Sequence, residues 1–227
     1  MKTNQGLIIF IFALFTHFTF AQNNPVGSPL VSPLGGDGNA LVVHKSINTE
    51  FDNSEYLPSQ DWRNGYFVQA NGKRFEMTQM RYDSHLKRVE YKDGENRFYP
   101  KEKVIEFGFA NGDVYQNRFN TFDGLDEDTF FQILYNGKTK LLKHTETTIS
   151  DITPYNSASK INHYNFYVNY YILKDNGQFT KSKKIYDGLL KILSDKSEDV
   201  ELFVKNNKLK IKDIEPLKKV LAHYDSQ

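Results

Sequence analysis

The side chains best placed to do chemistry are an acidic run, a scatter of histidines and a tyrosine-rich stretch. The acidic run is Asp123-Gly124-Leu125-Asp126-Glu127-Asp128. Calcium takes several hard oxygen ligands, which makes Asp123, Asp126 and Asp128 the metal candidates. Their spacing departs from the EF-hand loop. The competing reading, which we prefer, is a solvated loop opening the next element at Thr129-Phe130, with its acids near a helix N-terminus. His44, His85, His144, His163 and His223 lie far apart, and no pair has H-E-x-x-H spacing. His144-Thr145-Glu146 reads as a solvated hairpin edge rather than an acid–base pair. The chain has no G-x-S-x-G elbow, no P-loop and no dinucleotide-binding glycine pattern. Paired carboxylates could cleave a glycoside, but their separation in space decides that. No catalytic residue and no cofactor is therefore assigned.

Tyr164, Tyr167, Tyr170 and Tyr171 form a possible binding surface, because a tyrosine ring is apolar and its tip polar. The alternative is that they fill a β core. Trp62, between Asp61 and Arg63 near a strand start, reads as a structural plug.

The elements that position these groups begin with an export signal. Lys2 is the only charge before residue 37, and an apolar run extends from Leu7 to Phe20. Small residues stand at Thr19 and Ala21, the −3 and −1 positions of a cut after Ala21. These are the three parts of a cleavable signal peptide, expected at residues 1–21. The apolar run is shorter than a bilayer-crossing helix and contains His17, so no span is expected in the mature protein. Residues 22–40 are rich in proline and glycine and read as a flexible segment.

The chain has no cysteine, which excludes thiol chemistry, disulfides and lipidation at a cysteine. Lys and Arg total 29 and Asp and Glu 28; without Lys2 the two are equal. This balance leaves no electrostatic footprint for nucleic acid. Residues 181–227 carry eleven Lys and eight acids, read as a solvated helical surface.

Residues 41–181 read as an antiparallel sheet. Asn71-Gly72, Asp93-Gly94, Asn111-Gly112, Asn136-Gly137 and Asn176-Gly177 each separate strand-like residues and suit type I′ hairpin turns. Leu41-Val42-Val43 reads as a short strand. Residues 161–173 are apolar on both alternate sets, so the strand should be covered on both sides. From residue 182 the period changes to helical. Ser182, Ser197 and Asp213 are candidate N-caps, and Ile185, Leu189, Leu217 and Leu221 offer inward stripes. The expected fold class is α+β: an antiparallel β-meander sheet, free to curve strongly, followed by two or three short helices in residues 182–227.

Trp62 with Gly65, Tyr66 and Val68, Met80-Arg81-Tyr82-Asp83, and the segment Phe130 to Lys143 occur in an order closed by Lys208-Leu209-Lys210 and Leu217 to Tyr224. Together they resemble a family of small exported Bacteroidota proteins of unknown function. The resemblance implies export and this architecture, and supplies no catalytic residues.

The expectation is an exported protein of the periplasm, cell surface or medium. It would be a non-catalytic binding module of the cell envelope, whose partner is an unknown envelope protein or glycan. The alternatives are an envelope polymer hydrolase using dispersed carboxylates and a self-assembling structural protein.

Overall fold

Alternating apolar residues between short turns give strands with one buried and one wet face. A computed structural model describes residues 40–42, 51–119, 124–156 and 158–227. The expected signal peptide, the expected flexible segment apart from Ala40, Val43, His44 and Asp123 lie outside them. In chain order the strands are β1 (Ala40–Val42), β2 (Tyr56–Leu57), β3 (Arg63–Gln69), β4 (Arg74–Asp83), β5 (Arg88–Asp93) and β6 (Asn96–Pro100). They continue with β7 (Val104–Phe109), β8 (Val114–Gln116), β9 (Phe131–Asn136), β10 (Lys140–Ile152), β11 (Ile161–Leu173) and β12 (Phe179–Ser182). Helices α1 (Ile185–Ile192), α2 (Ser197–Asn206) and α3 (Ile214–Ser226) follow. The fold is α+β, as expected. The strands run β1-β6-β5-β4-β3-β7-β8-β9-β10-β11-β12, with β2 pairing β4 beside this path. The pairing leaves meander order where β1 pairs β6, where β2 pairs β4, and where β3 pairs with β7 as well as with β4.

The hairpins sit where the glycine pairs stand, but the turn type differs from the expected I′. A type I′ turn needs positive φ at both central residues. Here Gly72, Gly94, Gly112 and Gly177 have it, while Asn71, Asp93, Asn111 and Asn176 do not. Three hairpins share one design. In each, the glycine N–H donates to the carbonyl three residues back: Gly72 to Gln69, Gly112 to Phe109 and Gly177 to Lys174. The asparagine side chain accepts from the N–H two residues on, at 2.9, 3.1 and 2.9 Å for Asn71, Asn111 and Asn176. That local bond holds the asparagine at negative φ and leaves the left-handed step to glycine alone. Gly137 has no positive φ; a β-carbon there would collide with the Asp225 carboxylate.

The sheet curls sharply. Strands β4 and β8 are three places apart, about 14 Å in a flat sheet. Yet the rings of Tyr82 on β4 and Tyr115 on β8 have centroids 6.1 Å apart. Ser84, just past β4, meets Thr147 of β10 through their hydroxyls at 2.7 Å, although a flat sheet would separate those strands by about 24 Å. The sheet is not closed. Residues 51–57 lie in the opening: β2 pairs with β4, Phe51 bridges Asn162 of β11, and the Asn53 side chain bonds both backbone atoms of Tyr164 at 2.8 Å. Inside the curl is an aromatic core that includes Phe67, Phe75, Tyr82, Tyr91, Phe98, Phe107, Tyr115 and Phe130.

The helices pack on the far end of the sheet. Leu141 of β10 and Ile172 of β11 share one cluster with Leu189, Ile192, Leu193, Val200, Leu217, Val220 and Leu221. The Ile185 side chain lies outside the described residues. On the opposite face Leu142 and Tyr171 pack against Phe131. Only this end of β11 is covered on both sides: Phe166, Tyr167 and Val168 remain exposed, because β9 pairs β10 no further than Lys143. None of the three expected N-caps makes a side-chain cap bond. The Ser182 hydroxyl instead accepts from the Lys184 N–H and donates to its carbonyl, Ser197 is already helical, and Asp213 stands at the N-cap with its carboxylate unused for capping. No helix among the described residues is long and apolar enough to cross a membrane.

Candidate functional site

The curl forms a partly open cavity of about 330 Å³, which lies at the small end of ligand-pocket sizes. Its aromatic wall is Tyr82, Tyr115 and Phe130, turned inward by strand alternation on β4, on β8 and just before β9. Leu57 and Pro58 close one side. Asp113, Gln132, Lys143 and Thr145 supply the polar side.

Asp113 is fixed by two amides. Asn111 Nδ2 donates to one carboxylate oxygen and Gln132 Nε2 to the other, both at 2.8 Å. Lys143 stands opposite Gln132 in the β9–β10 pairing. Among the described residues, the Lys143 side chain has no hydrogen bond or ion pair. Tyr82 and Tyr115 are 6% and 8% exposed, and among the described residues neither hydroxyl has a hydrogen-bond partner. Burial pushes both phenols well above their ordinary range, and the Asp113 charge adds to this at Tyr115. Both therefore stay protonated at neutral pH and can donate. Neither hydroxyl is fully buried, so each can meet a polar group of a ligand or a water in the cavity.

A second polar cluster is partnered within the protein, though Glu90 Oε1 is left without a hydrogen bond. Glu90 on β5 is fully buried on the outer face of the sheet. It accepts from the Tyr56 hydroxyl at 2.7 Å and from Arg81 Nε at 3.0 Å, and Arg97 lies 3.4 Å from its other oxygen. The Arg81 guanidinium stacks on Tyr56 at 3.6 Å and on Trp62 at 4.1 Å. Trp62 thus covers this ion pair, in keeping with its expected structural role.

The four tyrosines do not form one surface. Tyr164 and Tyr170 share one face of β11, and Tyr167 and Tyr171 the other, as strand alternation requires. Tyr171 is buried against Phe131, and Tyr164 is buried against Phe51, the rings 4.3 Å apart. Burial raises the Tyr164 hydroxyl to about 12. Tyr170 is half-buried; Tyr167 alone is exposed, at 55%.

The described part of the acidic run is engaged by lysines. Lys87 Nζ meets both Asp126 oxygens at 2.7 and 2.9 Å, and Thr129 donates to Asp126 at 2.7 Å. These bonds hold the Asp126 carboxyl below its usual value. Lys103 reaches Glu127 and Asp128 at 3.1 and 2.9 Å. Among the described residues no three metal-ligating side chains cluster. The run leads into strand β9 rather than a helix. His144 also departs from expectation. It is buried, with Nδ1 3.3 Å from the Phe130 carbonyl, and burial lowers its pKa; Glu146 is exposed.

The sequence does not mark the cavity residues, because each sits in an ordinary strand or turn pattern. Tyr82, Phe130, Gln132 and Lys143 do fall within segments that carry the family resemblance. No family model, curated protein or solved structure matches the chain.

Proposed function

We propose that this is an exported, non-catalytic binding module of the cell envelope, and that the cavity in the curl of the sheet takes a small ligand. The same proposal places it in the exported Bacteroidota family that its motifs resemble. One observation carries the reading: Tyr82, Tyr115 and Lys143 line a single cavity, and the polar tips of their side chains lack hydrogen-bond partners among the described residues. Hydrolysis of a glycoside by carboxylates would require two facing acids. The cavity is lined by one, Asp113, already held by two amides.

The test is a thermal-shift screen of the purified protein with amino acids, short peptides, monosaccharides and aromatic acids. Binders should raise the melting temperature, lose that effect in the cavity-filling variant Thr145→Phe, and be recovered unchanged. Conversion of a binder would support the hydrolase instead. Export is tested by the N-terminus of protein recovered from its host, expected at Gln22; an intact Met1 on membrane-embedded protein would refute it.

A further inference from the structure

The cavity's two charges identify the class of ligand. Asp113 and Lys143 line the same space, yet they do not pair with each other. Gln132 lies between them, bonded to Asp113 at 2.8 Å and opposite Lys143 in the strand register. A simple anion would engage Lys143 and leave Asp113 facing a like charge; a simple cation would do the reverse. A neutral sugar would compensate neither charge. Each oxygen of Asp113 receives one amide N–H and can accept a further donor.

Thr145 aside, the remaining lining is apolar and aromatic, with two phenolic donors. Resting on the binding-module reading, we propose that the cavity binds a zwitterionic α-amino acid with an apolar or aromatic side chain. The ligand ammonium donates to Asp113. Its carboxylate accepts from Lys143, with a tyrosine hydroxyl in reach. Its side chain lies on the wall of Tyr82, Tyr115 and Phe130. A cavity of about 330 Å³ has room for one amino acid and not for a long peptide.

The test is calorimetric titration of the purified protein with the apolar and aromatic amino acids. The tightest binder is then compared with its C-terminal amide, which lacks the carboxylate, and its N-acetyl form, which lacks the ammonium. Each capped form should bind at least about tenfold more weakly, because charge-assisted hydrogen bonds are the strong ones. Lys143→Gln should erase the preference for the acid over the amide. Asp113→Asn should erase the preference for the free over the acetylated amine. Unchanged far-ultraviolet spectra and melting curves confirm that both variants fold. Capped forms that bind as tightly as the free amino acid would overturn the zwitterion while leaving the cavity a ligand site. No binding by any amino acid, with sugars or aromatic acids active in the wider screen, would overturn it in favour of those ligands. Silence from the whole screen would overturn the binding module as well.

Discussion

Leu221→Ala tests whether sheet and helices form one cooperative unit. Leu221 is fully buried in the cluster that joins Leu141 and Ile172 of the sheet to Leu189 and Leu217 of the helices. Truncating a buried leucine to alanine costs about 2–5 kcal/mol, more where the surroundings cannot collapse into the void. The site is walled by two strands on one side and helices on the other, so we expect about 3 kcal/mol or more. In a chain of this size each kcal/mol lowers the melting temperature by roughly 2–4 °C. The expected fall is therefore roughly 6–12 °C. Asp225→Ala probes the same junction by another route. The Asp225 carboxylate accepts from the Thr139 N–H and the Tyr135 hydroxyl, each at 3.0 Å, and so ties α3 to the β9–β10 turn. Its loss should cost about 1–3 kcal/mol. The assay is thermal melting followed at once by the helical far-ultraviolet signal and the tyrosine near-ultraviolet signal. Both should shift together in each variant. A Leu221→Ala loss below about 1 kcal/mol, or a melt in which the helical signal moves alone, would refute a shared unit.

Three further outcomes follow from the polar groups. Arg81→Met should destabilise the protein by about 3–5 kcal/mol in urea unfolding, because it weakens the compensation of buried Glu90. The double variant Arg81→Met/Glu90→Leu should recover most of that loss, and a double variant no better than the single would contradict it. His144 is held neutral by burial, so the unfolded chain binds a proton below about pH 6.5 that the folded chain resists. Its contribution is intact above that pH and is lost as pH falls; His144→Gln should therefore lose less stability than wild type between pH 7 and 5, and parallel curves would refute the assignment. Millimolar calcium should leave the melting temperature unchanged, since Lys87 holds Asp126 and Lys103 holds Asp128; a rise reversed by chelator would show a site involving the acidic run.

Much of the framework was legible in local pattern. Residues 161–173 form one strand with the expected bounds, and every glycine pair marks a chain reversal. The turn type was not legible, because the asparagine side chain's bond to the backbone competes with positive φ and wins. Nor was the cavity. Alternation shows which side of a strand is apolar, but not how tightly the sheet coils. Only the coil brings Tyr82 beside Tyr115 and Phe130. His144 and Tyr171 show the same limit. Their burial depends on Phe131 crossing from β9, a contact between strands that no single segment encodes.

The ligand belongs in the cavity rather than on the exposed tip of the β10–β11 hairpin. Fluorine NMR of protein labelled with 3-fluorotyrosine separates the two, with resonances assigned by single Tyr→Phe variants. Adding the tightest-binding compound of the screen should move the Tyr82 and Tyr115 signals. It should leave Tyr155 and Tyr167, 95% and 55% exposed on the hairpin, unmoved. Movement of Tyr155 and Tyr167 with Tyr82 and Tyr115 unchanged would place binding on the hairpin and contradict the cavity.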